Sequence, residues 1–124
     1  MAKTLTYSFC TMTLYDGFLV VVINEGEHLI PSQNKILVDI AKTHYNGKPF
    51  VYITHRKHSY SVDPSIYLKT SKIDNLCGFA VVAEVPVSMA NAQIEKLFLN
   101  KPFEIFTVID DAIIWAKDII SNAK

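Results

Sequence analysis

The sequence is poor in the residues that usually announce chemistry: it has two cysteines, four glycines and one tryptophan in 124 residues, and no surplus of either charge. Cys10 and Cys77 stand far apart and neither belongs to a Cys-x-x-Cys pair, which excludes a disulfide framework and the common zinc spacings, so both read as reduced core thiols. No Gly-x-Gly-x-x-Gly or Gly-x-x-x-x-Gly-Lys run exists to cradle phosphates, which sets nucleotide chemistry aside. Twelve Lys and Arg offset twelve Asp and Glu with no block of like charge, so the field that draws proteins onto nucleic acid is missing and no nucleic-acid partner is expected. The longest unbroken apolar run, Phe18 to Ile23, is far short of the roughly 20 residues that cross a bilayer, and the first residues lack the apolar core of a signal peptide. The expectation is a cytoplasmic protein with no membrane span. Neither a Gly-x-Ser-x-Gly elbow nor a cysteine with a positioned base appears, and the acidic pairs Glu25/Glu27 and Asp110/Asp111 read as a turn and a helix start, so no catalytic residue, cofactor or enzymatic activity is expected.

What the chain does have is a core. Half of its residues are hydrophobic and 19% are charged, enough for one domain over residues 1–124 that folds without a staple. Thr4 to Tyr15 alternates like a strand, Asp16-Gly17 is a turn, and the all-apolar Phe18 to Ile23 is a second strand buried on both sides. Pro31 opens a helix carrying Ile36, Leu37, Ile40, Ala41 and Tyr45, and Gly47 stops it. Pro49 to Thr54 is a third strand and Gly78 to Val85 a fourth; between them Asp63 precedes Pro64 as an N-cap precedes a first turn, opening a short helix to about Lys72. Ser88 to Asn100 places Ala90, Ile94, Leu97 and Phe98 on one helical face expected to be buried. Phe103 to Phe106 is the last strand, and Ile109, Ala112, Ile113, Ala116 and Ile120 stripe the last helix, which carries Trp115. The order ββαβαβαβα implies an α/β fold: a mixed sheet with a parallel core and an N-terminal antiparallel hairpin, packed by helices. Because the second and fourth strands are apolar on both faces, helices are expected to leave sheet uncovered, and a homodimer is expected to cover it.

Polar side chains crowd between Tyr52 and Leu68. His55, Arg56, Lys57, His58, Ser59, Tyr60, Ser61 and Asp63 gather at the C-terminal end of a strand, where open α/β sheets bind ligands. Arg56 suits a bidentate anchor for an anion and is expected to be exposed and structurally idle, with the N–H groups of the following helix adding donors and Tyr60 and Tyr67 forming walls. The candidate binding set is Arg56, Ser59, Tyr60, Ser61, Asp63 and Tyr67. Against it stands a solvated loop in which Asp63 caps the helix and the serines bond the backbone. His55 and His58 beside Asp63 lack the fixed spacing of a metal site, and no metal is expected.

The element order and length, the loop Arg56-Lys57-His58-Ser59-Tyr60-Ser61-Val62-Asp63-Pro64-Ser65-Ile66-Tyr67, and Phe103-Glu104-Ile105-Phe106 followed by Asp110 to Ala116 together resemble the small bacterial SpoIIAA-like proteins of the STAS and CRAL-TRIO superfamily. The resemblance covers nearly the whole chain and implies their fold. It also implies a non-enzymatic binding or regulatory module, first of all for a protein partner, or alternatively a carrier or sensor of a small anionic or lipid-like ligand. Anti-sigma-factor antagonists of the superfamily are phosphorylated on a serine in an Asp-Ser-Ser-Gly type motif. Asp63-Pro64-Ser65 lacks that sequel, so Ser59, Ser61 and Ser65 share the neighbourhood and none is carried over as the phosphosite.

Overall fold

A computed structural model describes residues 3–57 and 60–123, without the side chains of Val87 and Ser88. The elements run β1 (Lys3–Thr6), β2 (Cys10–Leu14), β3 (Phe18–Ile23), β4 (His28–Leu29), α1 (Pro31–Tyr45), β5 (Phe50–His55), β6 (Ser61–Val62), α2 (Ile66–Thr70), β7 (Leu76–Val82), α3 (Pro86–Glu95), a 3-10 turn (Lys96–Phe98), β8 (Phe103–Phe106) and α4 (Ile109–Ala123). The stretch read as one strand from Thr4 to Tyr15 is two, because the chain reverses at Tyr7 to Cys10, where the Tyr7 N–H donates to the Cys10 carbonyl at 2.8 Å. The Asp16-Gly17 turn forms as expected, with Gly17 at φ +83°, a conformation glycine takes without a Cβ penalty.

Six strands make one sheet in the order β1-β2-β3-β5-β7-β8. Antiparallel pairing joins β1, β2 and β3, and parallel pairing joins β3, β5, β7 and β8, so the mixed sheet with a parallel core is what forms. The short β4 and β6 pair with each other in a second, two-stranded parallel sheet. The parallel strands are added in one direction only, so right-handed crossovers put α1, α2 and α3 on one face. That face buries Leu19, Val21, Phe50 and Phe79 with Leu37, Tyr67 and Ala92 from the helices. The other buries Phe18, Val51, Ile53, Ala80 and Val82 under Ala112 and Ala116 of α4.

Two packing expectations are corrected. Among the described residues β7 is buried on both faces from Gly78 to Val82, whereas on the α4 face of β3 Phe18 is buried and Val20 and Val22 are only half-buried, so the uncovered sheet expected to drive association shrinks to part of β3. The stripe expected to bury the third helix points outward: Ile94, Leu97 and Phe98 are exposed, while Ala92, Glu95 and Leu99 face inward. Ala90 is exposed as well. The hydrophobic period was real, but the helix sits on its small and charged side.

Gly78 explains how closely α4 can approach. A Cβ at this position would stand 2.9 Å from the Trp115 ring and 3.1 Å from Ile119 Cδ1. Gly78→Ala is therefore expected to destabilise the fold by about 1–2 kcal/mol through overpacking, although alanine suits a strand better than glycine. A lowered urea midpoint at unchanged slope is the expected result; an unchanged midpoint would mean that Trp115 moves aside freely.

Candidate functional site

The site begins where β5 runs out. The Arg56 N–H donates to the Val82 carbonyl at 2.8 Å, extending the β5–β7 ladder by one rung, so the Arg56 side chain leaves from a fixed point. The chain returns at Tyr60, and β6 then lies along β4, with His28 Nδ1 and Ser61 Oγ 2.6 Å apart. Asp63 holds the entry to α2: its N–H donates to the Leu29 carbonyl and its Oδ1 accepts the Ser65 N–H at 3.0 Å. Those bonds to Ser65 lower the Asp63 pKa. The capping role expected of Asp63 is thus filled by a turn, and the α-helix itself starts at Ile66, two residues beyond Pro64.

Arg56 is not the exposed, idle anchor the sequence suggested. It is buried, and its guanidinium pairs with the buried Glu95 carboxylate of α3. The same Glu95 oxygen accepts from the Tyr67 hydroxyl of α2, and Arg56 Nε donates to the Tyr60 hydroxyl at 3.2 Å. Tyr60 in turn stands 2.9 Å from Thr54 Oγ1. Burial alone would lower the Arg56 pKa, but Tyr60 and the Glu95 bond outweigh it and hold the guanidinium above its ordinary value. Burial, followed by Glu95, pushes the Tyr67 hydroxyl well up. His55, beside this cluster, is lowered by partial burial and then by Lys57. On the sheet, burial raises the Cys10 thiol to about 11, in keeping with an unreactive core cysteine.

The structure therefore brings Arg56, Tyr60 and Tyr67 together, with Tyr67 in the core, and leaves Ser61 exposed and Asp63 at a turn. Ser59 and His58 lie outside the described residues. Glu95 was missed, because on a helix read by its apolar stripe a lone glutamate looks like a solvated residue. Its register with Ala92 and Leu99 on one face was the signal available. The donors expected for an anion at the start of α2 are engaged within the chain, the N–H groups of Ser65, Ile66, Tyr67 and Leu68 all bonding to Asp63, Pro64 or Ser65.

Two spaces flank Tyr60. The inner one lies between the sheet and the helices, lined by Tyr52, Thr54, Tyr60 and Tyr67 with Leu37 and Phe79, and offers about 20 Å³. A water molecule occupies about 10–15 Å³ on this measure, so the space suits one water and falls well below the roughly 300 Å³ at which ligand pockets begin. The outer one is a groove of about 180 Å³ with Tyr60, Ser61, Val62 and Pro64 on one wall and Asn91, Ile94 and Glu95 on the other. Among the described residues, no three His, Cys, Asp or Glu side chains converge to hold a metal.

This arrangement of a mixed sheet, three crossover helices on one face and a closing helix on the other is the SpoIIAA-like fold. A crystal structure of an uncharacterized protein of the DUF3478 family with a SpoIIAA-like fold, from Shewanella loihica PV-4, superposes on the chain with a TM-score of 0.58, covering 94% of this chain and 92% of that one at 12% identity. No protein-family profile matches the sequence, and no curated protein matches it.

Glu95→Ala is expected to cost about 3–5 kcal/mol, because it removes the carboxylate that pairs with the buried Arg56 charge. Replacing both partners, Arg56→Met with Glu95→Leu, is expected to recover most of that loss. Chemical denaturation of the two single variants and the double checks it; a mild Glu95→Ala would mean that the guanidinium finds water instead.

Proposed function

We propose that the protein is a non-enzymatic binding and regulatory module of the STAS type that engages a partner protein through the groove between the Tyr60–Pro64 segment and α3. The observation that carries this reading is the groove, which joins the exposed Ser61 to an exposed apolar side chain at Ile94 on α3. The polar cluster beneath supports a binding role over a catalytic one, since Glu95 is engaged by Arg56 and Tyr67 and serves to brace the groove wall. A benzophenone amino acid placed at Ser61 or at Asn91 is expected to give one common adduct in cells, lost with Ile94→Asp and absent when the probe is at Lys117 on α4. Adducts shared between the groove positions and Lys117 would overturn the reading.

Self-association belongs to the same proposal, now supported by a different feature: β1 is an edge strand, and a second copy can pair with its outer side. The alternative, a carrier or sensor of a small anionic or lipid-like ligand, draws on the hydroxyls around the inner space, which would have to widen several-fold to admit one. Native mass spectrometry separates these readings. A dimer without added mass is expected, a monomer at micromolar concentration removes the self-association reading, and a retained small molecule favours the carrier.

A further inference from the structure

Large apolar side chains are exposed both on α2 and on the Lys96–Phe98 turn, two segments that hydrogen bonds tie together. Leu97 is 82% exposed, Leu68 59% and Phe98 42%. Two bonds hold these elements side by side: Tyr67 donates to Glu95, and the Asn100 N–H donates to Ser71 Oγ at 2.8 Å. Leu68 follows Tyr67, and Leu97 and Phe98 lie between Glu95 and Asn100, so all three belong to one end of the helical layer.

Lysines stand among these side chains. In the stretches 64–73 and 96–102 every charged side chain is a lysine, and Lys69, Lys72 and Lys96 are exposed. Acidic residues border both stretches: Asp63 and Asp74 flank the first, Glu104 follows the second, and Glu95 before Lys96 is buried against Arg56. Asp110, Asp111 and Asp118 sit on α4, across the sheet, together with Lys117. Lysines near helix C-termini suit the helix dipole and alone mean little. A leucine and a phenylalanine raised among them are not explained that way.

We propose that this end of the molecule docks on an anionic membrane surface, with Leu97 and Phe98 entering the boundary between headgroups and acyl chains and Lys69, Lys72 and Lys96 meeting lipid phosphates. A second copy is a poor occupant, because a two-fold contact here would set lysines against lysines. The charge complement is an acidic surface, and a side chain as proud as Leu97 fits a deformable apolar layer without needing a matching pocket. Docking goes beyond partner binding in the groove and does not depend on it.

Co-sedimentation with vesicles of one part phosphatidylserine to two parts phosphatidylcholine tests it. Binding is expected to the mixed vesicles and not to phosphatidylcholine alone, weakening about tenfold or more when salt is raised to screen the surface. Leu97→Asp with Phe98→Asp, and separately Lys69→Glu with Lys96→Glu, are each expected to lose binding about tenfold or more while circular dichroism and the Ser61 groove adduct stay unchanged. Equal binding to neutral vesicles, no binding by the folded parent, or variants that bind like the parent each overturn the proposal. Loss of the groove adduct in the Leu97→Asp, Phe98→Asp variant without any vesicle binding assigns the patch to a protein partner and overturns it too.

Discussion

The buried pair of Arg56 and Glu95 is the joint on which the helical face of this fold depends. Arg56 is anchored by its own backbone to the β5–β7 ladder, so its guanidinium is a fixed point on the sheet. Glu95 brings α3 to that point, and the Tyr67 bond draws α2 to the same carboxylate. Three elements far apart in sequence are located by one charge pair. Burying ions carries a large desolvation cost, and apolar replacements of equal volume often do as well or better in stability, so the pair's contribution lies in specifying a position. That matters most for α3, which presents Ala92 and the partly buried Met89 to the core and so has little bulk of its own to fix its register.

How far the sequence could be read follows the same division. The strands from Phe18 onward that form the large sheet were legible because β-branched and aromatic runs separated by Asp16-Gly17, Pro49 and Pro86 leave few alternatives, whereas the reversal at Tyr7 to Cys10 carries no Gly or Pro to mark it. The last helix was legible too, since Ile109, Ala112, Ile113, Ala116 and Ile120 pack on the sheet as their spacing requires. Periodicity failed at α3, where it located a stripe correctly but could not tell a stripe facing the core from one facing outward. The deciding contact, Arg56 with Glu95, spans 39 positions and leaves no local trace. Arg56 misled for the same reason: nothing near it in sequence reveals a partner on a distant helix. The two-residue strands β4 and β6 were too short to register, although their pairing is what presents Ser61.

The two faces of the sheet are built on different principles. Under α4 small residues are set among the larger Phe18, Val51 and Ile53, with Gly78, Ala80, Ala112 and Ala116 allowing close approach and Trp115 lying against the glycine. Under the crossover helices a row of rings crosses three strands, Tyr52 stacking on Phe79 at 4.9 Å and Phe79 on Phe103 at 5.4 Å, because the parallel register sets these residues opposite one another. Rings with hydroxyls bring polar atoms into the core, and those atoms need partners. Thr54, Tyr60 and Glu95 supply them at the strand ends, so the polar cluster follows from filling this face with tyrosine.

A face organised in that way has consequences for its surface. Because Glu95 and Ala92 seat α3, the apolar stripe that runs from its end into the following 3-10 turn is released from the core and appears outside at Ile94, Leu97 and Phe98. Had the stripe been buried, the helix would have gained packing and the molecule would have lost both the apolar wall of its groove and the proud turn beside the lysines. Exposure of this kind opposes solubility and is ordinarily confined to surfaces that meet something else. The polar clasp inside and the apolar surface outside are therefore two sides of one helix orientation, and any change that turns α3 must alter both together.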